Sequence, residues 1–319
     1  MRINVLALEG AFDTGLAAVM DVFSTANELA DLQGTPSLRF QLALVGVRRK
    51  VCTSLGLRVP VTSSEEAPDP DLVVVPAIGY KMPETLQRAL LRADVRQAGD
   101  ALHRWRSNGA RVAAACIGTF VLAESGLLAG HQATTTWWLA PLFRQRYPDV
   151  DLQDSRMLVR SGPYLTAGAA LGHMDMALAL LRDVSPSLAD STARYLVVDS
   201  RAAQSAYALV DHLAHSDPLV RRFEEWARAR LAQGFSVEMA ASELGTSRRT
   251  LARRVGQALG RSPLAFFQEL RVQHAVHLLR TTRHSLDRIA EMVGYADGVT
   301  LGNLLRRRLG RSARELRAG

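Results

Sequence analysis

The hydrophobic positions of this chain change period along its length. Ile3 to Leu8 is a short apolar run, Arg39 to Val47 alternates like a strand, and Leu72 to Val75 and Arg111 to Ala115 are compact apolar runs, the former stopped by Pro76. Runs of this kind predict strands. Leu16 to Leu32 and the stretch from Pro83 to Asn108 carry helical spacing instead. Strands alternating with long helices predict a mostly parallel sheet covered on both faces, an α/β sandwich.

From Ser236 onward one helical pattern is written twice. Ser236-Val-Glu-Met-Ala-Ala-Ser-Glu-Leu-Gly245 is answered by Ser285-Leu-Asp-Arg-Ile-Ala-Glu-Met-Val-Gly294, and Gly260-Arg-Ser-Pro263 by Gly310-Arg-Ser-Ala313, so the second copy carries one extra residue in its turn. In each copy a Ser can cap a short helix, apolar at Val237, Ala240, Ala241 and Leu244 or at Leu286, Ile289, Ala290 and Val293. Gly ends it. A second amphipathic helix follows, with Leu251, Val255 and Leu259, or Leu301, Leu305 and Leu309, facing inward. This layout predicts two helix-turn-helix motifs. Pro218 to Gln233 predicts a supporting helix with Trp226 in its core. A connector from Pro263 to about Arg280, roughly 27 Å long at 1.5 Å per residue, would set the two reading helices into successive major-groove faces about 34 Å apart.

Composition places the chain among ordinary globular proteins: 319 residues, 48% hydrophobic and 22% charged. No apolar run approaches the roughly 18 residues of a membrane helix, and Met1-Arg-Ile-Asn-Val lacks a signal-peptide layout, so a soluble, cytoplasmic protein is expected. Cys52 and Cys116 alone make no disulfide framework. The charge of +8 is unevenly placed: Trp226 to Gly319 holds 17 Arg against 7 acidic residues, and everything before it is slightly acidic. That asymmetry fits a polyanion reader attached to a unit that does not touch the polyanion.

The outward side of each second helix is basic, with Arg248, Arg249, Arg253 and Arg254 in the first copy and Arg306, Arg307 and Arg308 in the second. A basic run alone is most often a solvated face; its placement on a duplicated helix-turn-helix points to double-stranded DNA. Residues from about Pro218 to Arg317 resemble the DNA-binding domain of the AraC/XylS family of bacterial transcription regulators. The resemblance rests on Ser247-Arg-Arg-Thr-Leu-Ala-Arg-Arg-Val255, Gly260-Arg-Ser-Pro263, Arg271, Ile289-Ala290, Gly294-Tyr295 and Gly310-Arg-Ser-Ala-Arg-Glu-Leu-Arg317. It implies base-facing positions at Arg249, Ala252 and Arg253 in the first reader and at Val299, Thr300 and Asn303 in the second, with Arg248 and Arg254 turned to phosphates. At Val299 and Asn303 the chain departs from the family's more usual polar residue and Arg. The first copy is therefore expected to supply most base specificity, and the second to anchor through Arg306, Arg307 and Arg308.

In the first half, Ala113-Ala-Ala-Cys116-Ile-Gly-Thr-Phe-Val-Leu-Ala runs an apolar strand straight into a cysteine, with a helix starting at about Gly118. Such a turn lifts Cys116 above the sheet edge beside a helix N-terminus, where it is expected to be partly thiolate. The arrangement is similar to the nucleophile elbow of the PfpI and class I glutamine amidotransferase-like superfamily. The similarity continues through Gly126-Leu-Leu-Ala-Gly130, Ala133-Thr-Thr135, Trp137 and Gly172-His-Met-Asp-Met-Ala177. It implies a flavodoxin-like, amidotransferase-like α/β sandwich followed by an all-α double helix-turn-helix domain, the layout of the GlxA-like branch of AraC-type regulators, whose junction Gln204 also fits. The expected divisions are a regulatory or dimerisation domain over 1–199, a linker over 200–217 and a DNA-binding domain over 218–319.

A cysteine hydrolase needs a base at the thiol and a group orienting that base. Ile117 stands where protease-like relatives carry His, Thr136 where many regulators of the branch have His before the Trp, and Gly15 where hydrolytic relatives place a Glu. No catalytic residue is assigned, and Cys116, Ile117 and Gly79 are taken as a candidate ligand pocket. For Cys116 the readings are a small residue that fits the turn, a ligand or redox sensor, or a nucleophile. His131 and His173 read as structural. The pairs His212/His215 and His274/His277 lack a third ligand, so no metal is expected, and no cofactor either. The leading function is a sequence-specific transcription regulator with a non-catalytic sensing or dimerising domain. Its expected partners are DNA, a small-molecule effector and a second copy of the chain, with RNA polymerase a further candidate and no membrane. The alternatives are a cysteine-dependent amidase or hydrolase fused to a DNA-binding module, and a non-specific nucleoid binder with a steep salt slope.

Overall fold

The structure, a computed structural model, describes residues 1–34, 38–198 and 217–318, which form two compact units separated in sequence by residues 199–216. The linker expected over 200–217 lies, apart from Asp217, outside the described residues, as do Gln204 and the pair His212/His215.

The first unit is built on a sheet in the order β10 (Leu158–Ser161), β11 (Tyr164–Ala167), β7 (Arg111–Ala115), β6 (Leu72–Val75), β1 (Arg2–Leu6), β2 (Gln41–Gly46) and β5 (Thr62–Ser63). Its pairings are parallel except for β10 with β11. Two ribbons stand apart from it, β3 (Lys50–Cys52) with β4 (Arg58–Pro60) and β8 (Gln132–Ala133) with β9 (Asp151–Leu152). Because side chains alternate across a strand, Val73, Val75, Val112 and Ala114 enter one core while Leu72, Val74, Ala113 and Ala115 enter the other. The first core is covered by α2 (Pro83–Leu90), α3 (Ala93–Ser107), α4 (Gly118–Glu124) and α5 (Ala140–Arg146), with Leu86, Trp105, Phe120 and Phe143. The second lies under α1 (Asp13–Leu32), α6 (Gly172–Val184) and α7 (Pro186–Tyr195), with Val19, Phe23, Met176 and Leu188. Each such side chain contributes about 1.5–3 kcal/mol by leaving water, which is why both faces of the sheet read as apolar runs.

Two local expectations are refined. The helical stretch from Pro83 to Asn108 breaks between α2 and α3, where Arg92 adopts an extended conformation (φ −66°, ψ 152°). Its guanidinium is held there by Asp94, the Tyr80 hydroxyl and the Glu9 carbonyl. The strands β3, β4, β8, β9 and β10 escape the periodicity because they are two to four residues long and partly exposed.

The second unit is helical: α8 (Pro218–Arg228), α9 (Val237–Glu243), α10 (Arg248–Leu259), α11 (Pro263–Thr281), α12 (Leu286–Met292), α13 (Gly298–Leu309) and α14 (Ala313–Ala318). Ser236 and Ser285 cap α9 and α12 through the amides of Met239 and Arg288, as the repeat predicts. Gly260 and Gly310 end α10 and α13 in the left-handed region, at φ 65° and 68°. The supporting helix stops at Arg228, five residues short of the expected Gln233. Two cores result. Phe266, Phe267 and Leu270 on α11 pack with the first copy, and Val272, Ala275, Leu278 and Leu279 with the second.

Candidate DNA-binding interface and the Cys116 elbow

The reading helices α10 and α13 are capped alike. The Ser247 hydroxyl accepts the Thr250 amide, and the Asp297 carboxylate accepts the Thr300 amide. Matching the caps places Arg249 with Val299, Ala252 with Gly302 and Arg253 with Asn303. Gly302, and not Thr300, is therefore the counterpart of Ala252, as the fifty-residue offset between the two caps requires. Leu251, Val255 and Leu259 turn inward on α10, and Leu301 and Leu305 on α13, which leaves Arg249, Ala252, Arg253, Val299, Thr300, Asn303, Arg306 and Arg307 exposed.

The remaining arginines are partly engaged within the unit. Arg248 pairs with Glu238, whose carboxyl it holds down to about 2. Arg308 pairs with Glu269 at 3.1 Å. Arg254 forks onto Asp217, Nε to Oδ2 at 2.6 Å and Nη2 to Oδ1 at 3.0 Å, and is only half exposed. Asp217 also caps α8 by accepting the Leu219 and Val220 amides. Burial pushes its carboxyl up, but Arg254 and these amides together hold it below the usual range. Arg254 thus has a structural task besides any phosphate contact, and nothing near it in sequence announces the partner thirty-seven residues away.

One residue ties the two copies together. Arg271, buried on α11, donates from Nε to the Leu231 carbonyl at 2.9 Å and from Nη2 to the Gln233 carbonyl. It lies over the rings of Phe267 and Tyr295, at 4.8 and 5.5 Å. His274 and His277 stack at 6.2 Å on the same helix. Among the described residues no cluster of three metal-binding side chains occurs.

In the first unit Cys116 sits at the end of β7 with φ 55°, a left-handed conformation costly for a residue with a Cβ. Its amide donates to the Ala167 carbonyl at 2.8 Å and its carbonyl accepts the Thr135 hydroxyl at 2.7 Å. Gly118 follows because a Cβ there would run into the Val75 carbonyl. The expected thiolate is not what this environment favours. Burial pushes the Cys116 thiol up to about 12, and the Ile117 amide and Thr136 hydroxyl pull the other way without compensating. The helix N-terminus cannot offset desolvation that complete.

His173 is fully buried, and both ring nitrogens are committed. Nε2 accepts the Ala77 amide at 3.1 Å and Nδ1 donates to the Ala170 carbonyl at 2.8 Å. Burial pushes its pKa down to about 4, against the hydrogen bond to Ala170. Gly15 lies against this ring, where an added Cβ would meet Nε2 at 2.6 Å. His131 bonds Ser161 through Nδ1 at 3.0 Å and meets Tyr164 edge-on. Ile117 is buried beside Cys116, and Gly79 is half-buried, its amide donating to the Gly10 carbonyl at 2.7 Å and its Cα packed against Ser54.

The profile of the DJ-1/PfpI family matches residues 1–183, more than half of the chain. The chain belongs to the DJ-1/PfpI family. A helix-turn-helix domain profile matches residues 240–319, so this DJ-1/PfpI domain is joined to an AraC-type helix-turn-helix domain. The HTH-type transcriptional regulator GbdR of Pseudomonas aeruginosa is 25% identical over 326 residues, covering 99% of this chain and 84% of its own. The HTH-type transcriptional regulator GlxA of Rhizobium meliloti is 24% identical over 230 residues, 70% of each chain. In fold, the first unit is similar to the crystal structure of an AraC family transcriptional regulator from Pseudomonas putida, with TM-score 0.51 and 21% identity over 61% of this chain and 98% of that one. Within the DJ-1/PfpI fold, then, this chain keeps the strained cysteine turn. Ile117 follows the cysteine directly, and Gly15 packs against the ring of His173.

Proposed function

We propose that this protein is a sequence-specific DNA-binding transcription regulator whose DJ-1/PfpI domain senses a small molecule, dimerises, or both. The observation that carries this reading is the pair of equivalently capped helices α10 and α13, each presenting exposed polar or basic side chains outward while Leu251 and Leu259, or Leu301 and Leu305, are buried. Residues 218–319 form the DNA-binding part, 1–199 the regulatory part and 200–217 the link. Arg249, Ala252 and Arg253 face bases in the first segment of the operator and Val299, Thr300 and Asn303 in the second. Arg248, Arg254, Arg306, Arg307 and Arg308 meet phosphates, with Arg248, Arg254 and Arg308 exchanging a carboxylate partner for a phosphate. The effector site is placed around Cys116, Ile117 and Gly79, and occupancy would act by shifting the balance between two arrangements of the DNA-binding parts in a homodimer. RNA polymerase is a further partner in this reading, and the protein works in the cytoplasm; no helix among the described residues is long and apolar enough to cross a membrane.

A regulatory rather than catalytic first domain is supported by the protonated thiol of Cys116, by the committed nitrogens of His173 and by Gly15. Selection from a random duplex pool, run beside incubation with amide and ester substrates, tests the proposal. Enrichment of one sequence without turnover is expected. Turnover abolished by Cys116→Ser, or binding equal for all sequences, overturns it.

A further inference from the structure

Val299 is a large apolar side chain left 73% exposed in the first turn of α13. It occupies the second helical position, as Arg249 does in α10, and residues near the N-terminus of a reading helix are those that meet base edges. Asn303 and Arg306 follow it at helical spacing on the same stripe, and the Asn303 amide has no hydrogen-bond partner among the described residues. All three line an open groove of about 410 Å³ between the starts of α12 and α14, floored by Gly298 and Gly302. At Gly302 a Cβ would meet only Leu286, at 3.5 Å, an ordinary contact, whereas at Gly298 it would run into Asp287. Gly298 is fixed from below, its amide donating to Asp287 Oδ1 at 2.8 Å. Asp287 and Arg314 also line the groove.

The arrangement offers an apolar contact, then a two-sided amide about 6 Å further along the axis, then a guanidinium. In the major groove the one apolar group a base pair presents is the thymine C5-methyl, and the pattern an amide matches bidentately is adenine N6 and N7. We infer that Val299 reads a thymine methyl, so that the second segment of the operator is a thymine-adenine segment while the first, facing Arg249 and Arg253, is guanine-containing. This rests on the reading of α13 as a base-contacting helix and assigns that helix a selectivity of its own beyond anchoring.

The test uses the full chain and its selected duplex, with each thymine replaced in turn by uracil, which lacks only the methyl group. One replacement in the second segment is expected to weaken wild-type binding about fourfold, the worth of one buried methyl. The same replacement should leave Val299→Ala binding unchanged. Val299 is exposed and Ala favours helix, so that variant keeps its fold, which its circular dichroism checks. If no uracil matters to the wild type, or if Val299→Ala stays as sensitive as the wild type, the methyl assignment is wrong while the regulator reading stands. If no duplex is preferred at all, the reading beneath it falls as well.

Discussion

The Arg271 guanidinium fills the space that a side chain at Gly294 would need, and the Leu231 carbonyl that it bonds lies 2.5 Å from the same point. Gly294 ends the first helix of the second copy at φ 77°, and Leu231 belongs to the turn after α8 in the first copy. A single buried cation with two carbonyl partners therefore joins the two motifs through the connecting helix.

Gly294→Ala is expected to destabilise the second unit. The left-handed backbone alone costs about 1–2 kcal/mol with a Cβ, and displacing Arg271 from its carbonyls adds to that. Urea unfolding followed by circular dichroism measures it. A midpoint indistinguishable from wild type would mean that Arg271 is not packed as described.

Stability of the first unit should fall as pH drops from about 6.5 to about 4. His173 is neutral when folded, with its pKa pushed down to about 4, whereas in the unfolded chain it takes up a proton below 6.5. The folded state therefore holds a stabilisation that is complete above 6.5 and is lost as pH falls through that window, about 3 kcal/mol in all. Urea titrations across this range, followed through the near-ultraviolet signal of the tryptophans, three of which (Trp105, Trp137 and Trp138) lie in the first unit, should show that slope. The His173→Phe protein should lack it, and an equal slope in the variant would refute the assignment.

Cys116 should resist alkylation in the native protein at neutral pH, because its thiol is buried and held protonated up to about 12. Cys52, half-buried, should react first. Iodoacetamide labelling with peptide mass spectrometry distinguishes the two, and rapid modification of Cys116 would show a thiolate that this environment does not favour.

Arg253→Ala should cost about 1–3 kcal/mol on the preferred duplex and little on a scrambled one, as expected when a guanine contact is lost. Arg307→Ala should weaken both alike and flatten the salt dependence by about one counterion. Binding titrations at several salt concentrations read both effects. Greater loss of preference in Arg307→Ala than in Arg253→Ala would reverse the roles given to the two helices.

What could be read along the chain is what short stretches encode by themselves. The apolar runs Leu72–Val75 and Arg111–Ala115 become central strands because burial on both faces tolerates no polar break. The caps Ser236 and Ser285, the connector from Pro263 and the doubled helix-turn-helix follow from residue types at fixed spacing, and so does the cysteine at the end of its strand. Folding alone decided whatever depends on partners distant in sequence. Asp217 claims Arg254, the Ala77 amide and Ala170 carbonyl commit His173, Arg92 breaks a helix to reach Glu9, and desolvation keeps Cys116 protonated against its helix terminus. Spacing sets which face of an element a side chain occupies, but a charge or a proton responds to everything within a few ångströms, and that neighbourhood exists only once the chain has closed on itself.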